Sequence, residues 1–181
     1  ATGQYEYGMD FHLEGELHGA ILRSPHAYAR IKSIETTRAK VLAGVAAVIT
    51  AGDLPPELIM PGVISDQPPL ARDVVRFYGE PVALVAAESA ALAQQALAQI
   101  KVEYEPFQPL LDTEEAMADD APLLHPQWES YHCEEGVVRY RNVCTHAELR
   151  KGDVEAGFAE SDLIFEDEFQ TRSVHQSHVE P

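Results

Sequence analysis

Between Asp73 and Ser89 the sequence reads DVVRFYGEPVALVAAES, two apolar runs that meet at Gly79-Glu80-Pro81. No other stretch limits the fold as much. The glycine admits a backbone with φ > 0, and the proline fixes the entry into the run that follows it. The chain must therefore turn a tight corner between two short strands, Val74, Val75 and Phe77 on one side and Pro81 to Val85 on the other. Ser89 then caps a helix. Glu80 on the corner has two readings, a catalytic carboxylate or the polar edge of a turn that aims a strand. General acid or base work needs a partner carboxylate or histidine in a pocket. The neighbouring sequence offers neither, so the corner reading is preferred.

The remaining pattern is of short elements joined by tight turns. Residues 16–22 and 27–34 read as strands with a corner at Ser24-Pro25, because proline pushes the residue before it into an extended conformation. Thr36 or Thr37 caps a short helix through Leu42 that Gly44 ends. VAAVIT (45–50) is a β-branched run stopped by Ala51-Gly52-Asp53. Five prolines between 55 and 71 leave no room for a regular element, and so long a loop is a candidate for contact with another domain or subunit. After Ser89, residues Leu92, Ala96, Leu97 and Ile100 recur on one helical face. Ile100, Val102 and Tyr104 alternate along a strand that Glu105-Pro106 ends. Asp112 caps a short acidic helix through Met117. Residues 118–141 lack a steady period and read as a linker. Asp153 caps a helix over 154–159, and Leu163, Phe165 and Phe169 alternate with acids along a strand reaching Thr171. Strands separated by both turns and short helices predict an α+β fold, a mixed sheet with short helices, not a regular βαβ winding.

Charge narrows the partners. Acids outnumber bases 30 to 13 for a formal net charge of −17. Such a surface repels phosphate backbones and anionic headgroups, so nucleic acid and membrane are poor partners. Cys133 and Cys144 are the two thiols. They are too few for a disulfide scaffold and form no CxxC pair, which predicts a reduced, cytoplasmic setting.

His175, His178 and Glu180 form an HxxHxE run. Neither strand nor helix geometry converges all three, and a metal site needs three or four converging ligands. His12, His18 and His26 read as surface or hydrogen-bonded histidines, and Asp53, Asp66 and Asp73 lack the spacing of a calcium loop. Phosphate-loop, dinucleotide and nucleophile-elbow signatures are missing. The residues alone define no self-sufficient active site.

Five segments, in order, nevertheless form a specific set: LHGAILRSPHAYARI (17–31), GVAAVITAGDLP (44–55), RFYGEPVALVAAES (76–89), ALAQIKVEYEPFQPLLDTEEAM (96–117) and the closing HVEP (178–181). Over residues 15–181 the chain resembles the N-terminal part of the large subunit of molybdenum hydroxylases, the xanthine dehydrogenases, aldehyde oxidases and aerobic carbon monoxide dehydrogenases. HVEP departs from the commoner forms with Met or Leu before Glu-Pro.

The resemblance implies an α/β hammerhead domain over residues 1–120, a linker over 121–141 and the incomplete beginning of the molybdopterin-binding domain over 142–181. For the complete enzyme it implies a molybdopterin-bound molybdenum that hydroxylates a carbon of an aldehyde, purine or N-heterocycle with water-derived oxygen. It also implies [2Fe-2S] clusters and FAD on other domains or subunits, with none of these groups held by this chain alone. The expected partners are the rest of the molybdopterin-binding large subunit and the iron–sulfur and FAD subunits. The family's catalytic glutamate and cofactor loops have no matching position here, so no catalytic, cofactor-binding or metal residue is assigned. A stand-alone hammerhead-fold binding or regulatory protein is the alternative.

Overall fold

The computed structural model describes residues 7–149, 151–169, 171 and 174. Residues 14–146 form one compact unit; the described residues within the two chain ends, 7–13 and 147–174, form another.

In the larger unit, β1 (His18–Arg23), β2 (Ala29–Glu35), α1 (Thr37–Lys40) and β3 (Val45–Thr50) follow one another. A 3-10 turn at Ala51–Asp53 then leads through the proline-rich segment to β4 (Val74–Val75) and β5 (Pro81–Ala87). Next come α2 (Ala90–Leu97), β6 (Lys101–Pro106), α3 (Thr113–Met117) and a hairpin of β7 (Val138–Tyr140) with β8 (Val143–His146). The α+β class is as expected, but the sheet is not single or mixed. The strands make two three-stranded sheets, β1-β5-β3 and β4-β2-β6, and every pairing is antiparallel.

Local chemistry explains most boundaries. The Ser89 hydroxyl accepts from Leu92 N at 3.2 Å, and Asp112 accepts from Glu114 N and Glu115 N at 2.8 and 3.0 Å. At α1 the cap differs from expectation. Thr36 is in the N-cap position with no side-chain cap, and the Glu35 carboxylate takes Thr37 N at 2.7 Å instead. Hydrogen bonds from Thr37 hold the Glu35 carboxyl below its ordinary value. β4 stops before Phe77 because Arg76 N is already given to the Glu80 carboxylate and cannot extend the ladder.

The helical face read from the sequence lies in the main core. Ala96, Leu97 and Ile100 are buried there beside Ala20, Ala83, Val85 and Ala87, with Leu92 packed against them. Alanine on both surfaces lets helix and sheet approach closely while each buried methyl still leaves water. The opposite face of β5 begins with Val82, which joins Ala29, Ala71 and Val75 in a second core under Ile31, Val102 and Tyr104. The central strand thus feeds both cores.

In the smaller unit, Tyr7 N donates to Asp10 at 2.8 Å around a 3-10 turn, and α4 (Val154–Ala159) is capped by Asp153 accepting from Ala156 N at 3.0 Å. The strand expected over 163–171 is not formed at 163–169. Leu163, Phe165 and Phe169 are 76%, 83% and 88% exposed. Alternation supplies a face, but a strand also needs a neighbouring ladder for its backbone, and no described residue supplies one. His175, His178 and Glu180 lie outside the described residues.

Candidate functional site

The two corners read separately from the sequence are bonded to each other. Ser24 N donates to Glu80 O and Gly79 N to Ser24 O, both at 2.9 Å, and Arg23 Nη1 reaches Gly79 O at 3.0 Å. Ser24 is buried, its hydroxyl paired with the backbone of His26. Gly79 has φ +86°, the left-handed conformation its position in the turn requires.

Glu80 is 4% exposed. Its carboxylate accepts from Arg76 N, closing the turn across which Glu80 N also donates to Phe77 O at 3.2 Å. Burial raises its pKa above the ordinary value, with the Arg76 hydrogen bond and charge and a hydrogen bond from Phe77 opposing. Glu80→Ala is expected to cost about 1–3 kcal/mol, because the Arg76 N–H loses its acceptor in a buried place. Glu80→Gln keeps an acceptor and is expected to stay within about 1 kcal/mol of the parent. The folded state holds the Glu80 proton more tightly than the unfolded chain. The contribution of this group to stability therefore falls as pH rises from the ordinary value of 4.5 through the raised folded value. Denaturant unfolding of parent and Glu80→Gln across this window should show that slope in the parent alone.

What spacing along the chain does not reveal is what the fold brings to Glu80. Asp66, Gln67 and Pro68 from the proline-rich segment and His125 from the 118–141 stretch share with Arg76, Phe77 and Glu80 a cavity of about 120 Å³. The acid and the histidine missing from the neighbouring sequence arrive from 14 residues before and 45 residues after Glu80. A larger cavity of about 220 Å³ also borders Asp66 and His125, and runs on to Trp128 and the β7–β8 hairpin.

Side-chain bonds to carbonyls build these walls. Asn142 accepts from Leu124 N at 2.9 Å and donates to Ala116 O and Pro122 O, each at 3.0 Å. Arg76 Nε donates to Leu124 O at 3.0 Å, and Arg139 Nη2 to Tyr131 O at 2.6 Å and Glu129 O at 3.3 Å. The Arg139 guanidinium lies 5.9 Å from the centre of the Trp128 ring. The facing wall is held by Ser65 N donating to His132 O at 2.8 Å and by an isolated bridge between Ile64 and Cys133. Residues 121–141 are thus packed within the larger unit. His125 Nδ1 is 3.1 Å from the Tyr131 hydroxyl. Burial, then the Arg76 charge, lowers the His125 pKa against the opposing pull of Asp66, which favours the neutral ring.

The other sequence candidates lie apart. His18 opens β1 opposite Ala87, His26 meets the Tyr104 ring edge-on at 4.9 Å, and His12 belongs to the smaller unit. Asp53 accepts from Thr50 N and Oγ1 at 2.8 and 2.9 Å, which holds its carboxyl below the ordinary value. Asp73 O accepts from Ile31 N at 2.8 Å.

Two small antiparallel sheets, short helices and a doubly bonded corner define an α+β hammerhead module. The profile of the "Aldehyde oxidase and xanthine dehydrogenase, a/b hammerhead domain" matches residues 2–108, and the chain belongs to that family. It is 37% identical over 175 residues to a probable xanthine dehydrogenase subunit of Bacillus subtilis, covering 96% of this chain and 22% of that protein. It is 38% identical over 183 residues to the carbon monoxide dehydrogenase large chain of Afipia carboxidovorans, covering 98% of this chain and 23% of that one. A crystal structure of a Cu,Mo-CO dehydrogenase in its carbon monoxide reduced state superposes with a TM-score of 0.71 at 38% identity, over 89% of this chain and 21% of that chain. The chain therefore spans less than a quarter of the length of these relatives.

The donor set can be tested against the groups this family implies. A [2Fe-2S] cluster takes four cysteine ligands, or two cysteines and two histidines, converging on one place. The sequence has two cysteines, and Cys133 and Cys144 are both free. Among the described residues no three His, Cys, Asp or Glu side chains converge as a metal site. The described residues therefore offer no seat for an iron–sulfur cluster. No helix among the described residues is long and apolar enough to cross a membrane.

Proposed function

We propose that this chain is the N-terminal structural portion of the molybdopterin-binding large subunit of a molybdenum hydroxylase. Such an oxidoreductase hydroxylates a carbon of an aldehyde, purine or N-heterocycle with water-derived oxygen. The single observation behind the reading is the alignment of nearly the whole chain with under a quarter of two such relatives. In this reading residues 1–120 are the hammerhead domain, 121–141 connect, and 142–181 begin the molybdopterin-binding domain. The chain contributes no catalytic residue. It packs on the rest of the large subunit and walls part of the cofactor site, in the cytoplasm. The proline-rich segment, with Leu58, Met60 and Val63 exposed, is the face offered to a neighbouring domain or subunit. Molybdopterin-bound molybdenum belongs to the complete enzyme, and [2Fe-2S] clusters and FAD to its other domains or subunits. The exposed apolar residues at 163–169 support the reading, since a face of that kind is ordinarily buried by a partner.

The test is affinity capture of the tagged chain from its native host, followed by mass spectrometry and elemental analysis. Recovery with further large-subunit sequence, molybdenum and iron is expected. A lone, metal-free, monodisperse chain would overturn the reading and leave a stand-alone binding or regulatory protein.

A further inference from the structure

A cavity of about 220 Å³ lies beside the β7–β8 hairpin. Arg30–Glu105, Lys32–Glu103 and Lys40–Asp53 are ion pairs of the described residues; Arg139 and Arg141, which both line this cavity, enter none of these. Each is instead fixed in place by backbone carbonyls. The bonds of Arg139 leave from Nη2, and Arg141 Nη2 donates to Ala121 O at 2.6 Å. These bonds of both arginines thus leave from Nη2, on guanidiniums that line the cavity.

The backbone makes the same point. Arg141 and Asn142 are the two turn residues between the paired Tyr140 and Val143, and Arg141 has φ +50°. Two-residue hairpin turns favour glycine or asparagine at a left-handed position. Arg141 therefore carries backbone strain, and strained residues of this kind gather at ligand sites.

We infer that this cavity binds a small organic carboxylate, its oxygens taken by Arg139 and Arg141 and its apolar body by Ile64, Leu124 and Val143. Guanidinium groups grip carboxylates through paired, charge-assisted hydrogen bonds, and anchoring before the ligand arrives lowers the ordering cost of binding. The volume is below the roughly 300–1,000 Å³ usual for drug-sized ligands, which suits a compact acid. Asp66 is the one carboxylate lining the cavity, so the two arginines outnumber it, and His125 leans to its neutral form. The inference is independent of the proposed place of the chain in a hydroxylase.

The full chain carries its own reporters. Trp128 is the only tryptophan in the sequence and lines the cavity, as does exposed Cys144, whereas Cys133 does not line it. Trp128 fluorescence is followed at constant ionic strength during titration with cyclohexanecarboxylate, its neutral amide or inorganic phosphate. Thiol alkylation is read separately at the two cysteines. The expected result is a saturable change with the carboxylate, about tenfold or more weaker with the amide and with phosphate. Cys144 should be slowed by the carboxylate while Cys133 is not. Arg141→Gly suits the turn backbone and removes the guanidinium, so it should fold and bind about tenfold or more weakly. Absence of saturation, equal binding of amide or phosphate, unprotected Cys144, or unaltered binding by Arg141→Gly would each overturn the inference.

Discussion

Leu70→Ala is expected to lower the unfolding free energy by about 2–5 kcal/mol, although it lies in a proline-rich segment without regular structure. Leu70 is 1% exposed and ranks with Val75, Val82 and Val85 among the largest fully buried side chains. Ala71 beside it is equally buried, and its N–H donates to Pro81 O at 2.8 Å, pinning the end of the segment to the start of the central strand. Truncating Leu70 removes apolar burial and leaves a void that this bonded backbone cannot collapse to fill. Leu58→Ala, in the same segment but 43% exposed, is expected to stay within about 0.5 kcal/mol of the parent. Denaturant midpoints at unchanged slope decide the matter. If Leu70→Ala behaves like Leu58→Ala, the segment is a loosely attached loop and does not hold the corner in place.

Gly44→Ala is expected to cost about 2–4 kcal/mol, from two separable sources. Gly44 has φ +83°, where a side chain costs about 1–2 kcal/mol. A Cβ built there would also lie 2.7 Å from Leu92 Cδ2 and 3.0 Å from Glu88 Oε2. Crowding of this sort costs about 1–3 kcal/mol, towards the low end when a side-chain tip can swing aside. Gly79→Ala separates the two terms. Its φ of +86° is nearly the same, but nothing lies within 4 Å of the added carbon. Thermal unfolding should show Gly44→Ala lowered by roughly 5–15 °C, with a smaller shift for Gly79→Ala. Equal shifts would mean that the helix does not press on the Gly44 turn.

The parts of this fold legible in the sequence are those whose cause is local. Ser89, Asp112 and Asp153 cap helices as read, because a short acceptor before an amide row acts within three residues. Leu92, Ala96, Leu97 and Ile100 share a face because helical periodicity alone puts them there. Glu35 took the place expected of Thr36 or Thr37 because more than one nearby oxygen can reach the first free N–H, and the sequence does not order them. Residues 163–169 carry strand alternation without a strand, since alternation says nothing about who supplies the ladder. The hairpin at 138–146 turns on Arg141-Asn142 without a glycine to announce it. Asp66 and His125 meet Glu80 by tertiary folding, which no spacing along the chain encodes.

The strand order β1-β5-β3 has a consequence for how the chain is made. Both outer strands leave the ribosome before the strand that joins them. Between Thr50, the end of β3, and Pro81, the start of β5, lie thirty residues, 51–80. At about 5–20 residues per second, their synthesis takes roughly two to six seconds. For that interval the apolar runs of β1 and β3 are without the partner they share, and exposed strand edges are templates for aggregation. During synthesis, the edges of β1 and β3 that β5 will cover stay open to non-native pairing until Pro81–Ala87 arrives.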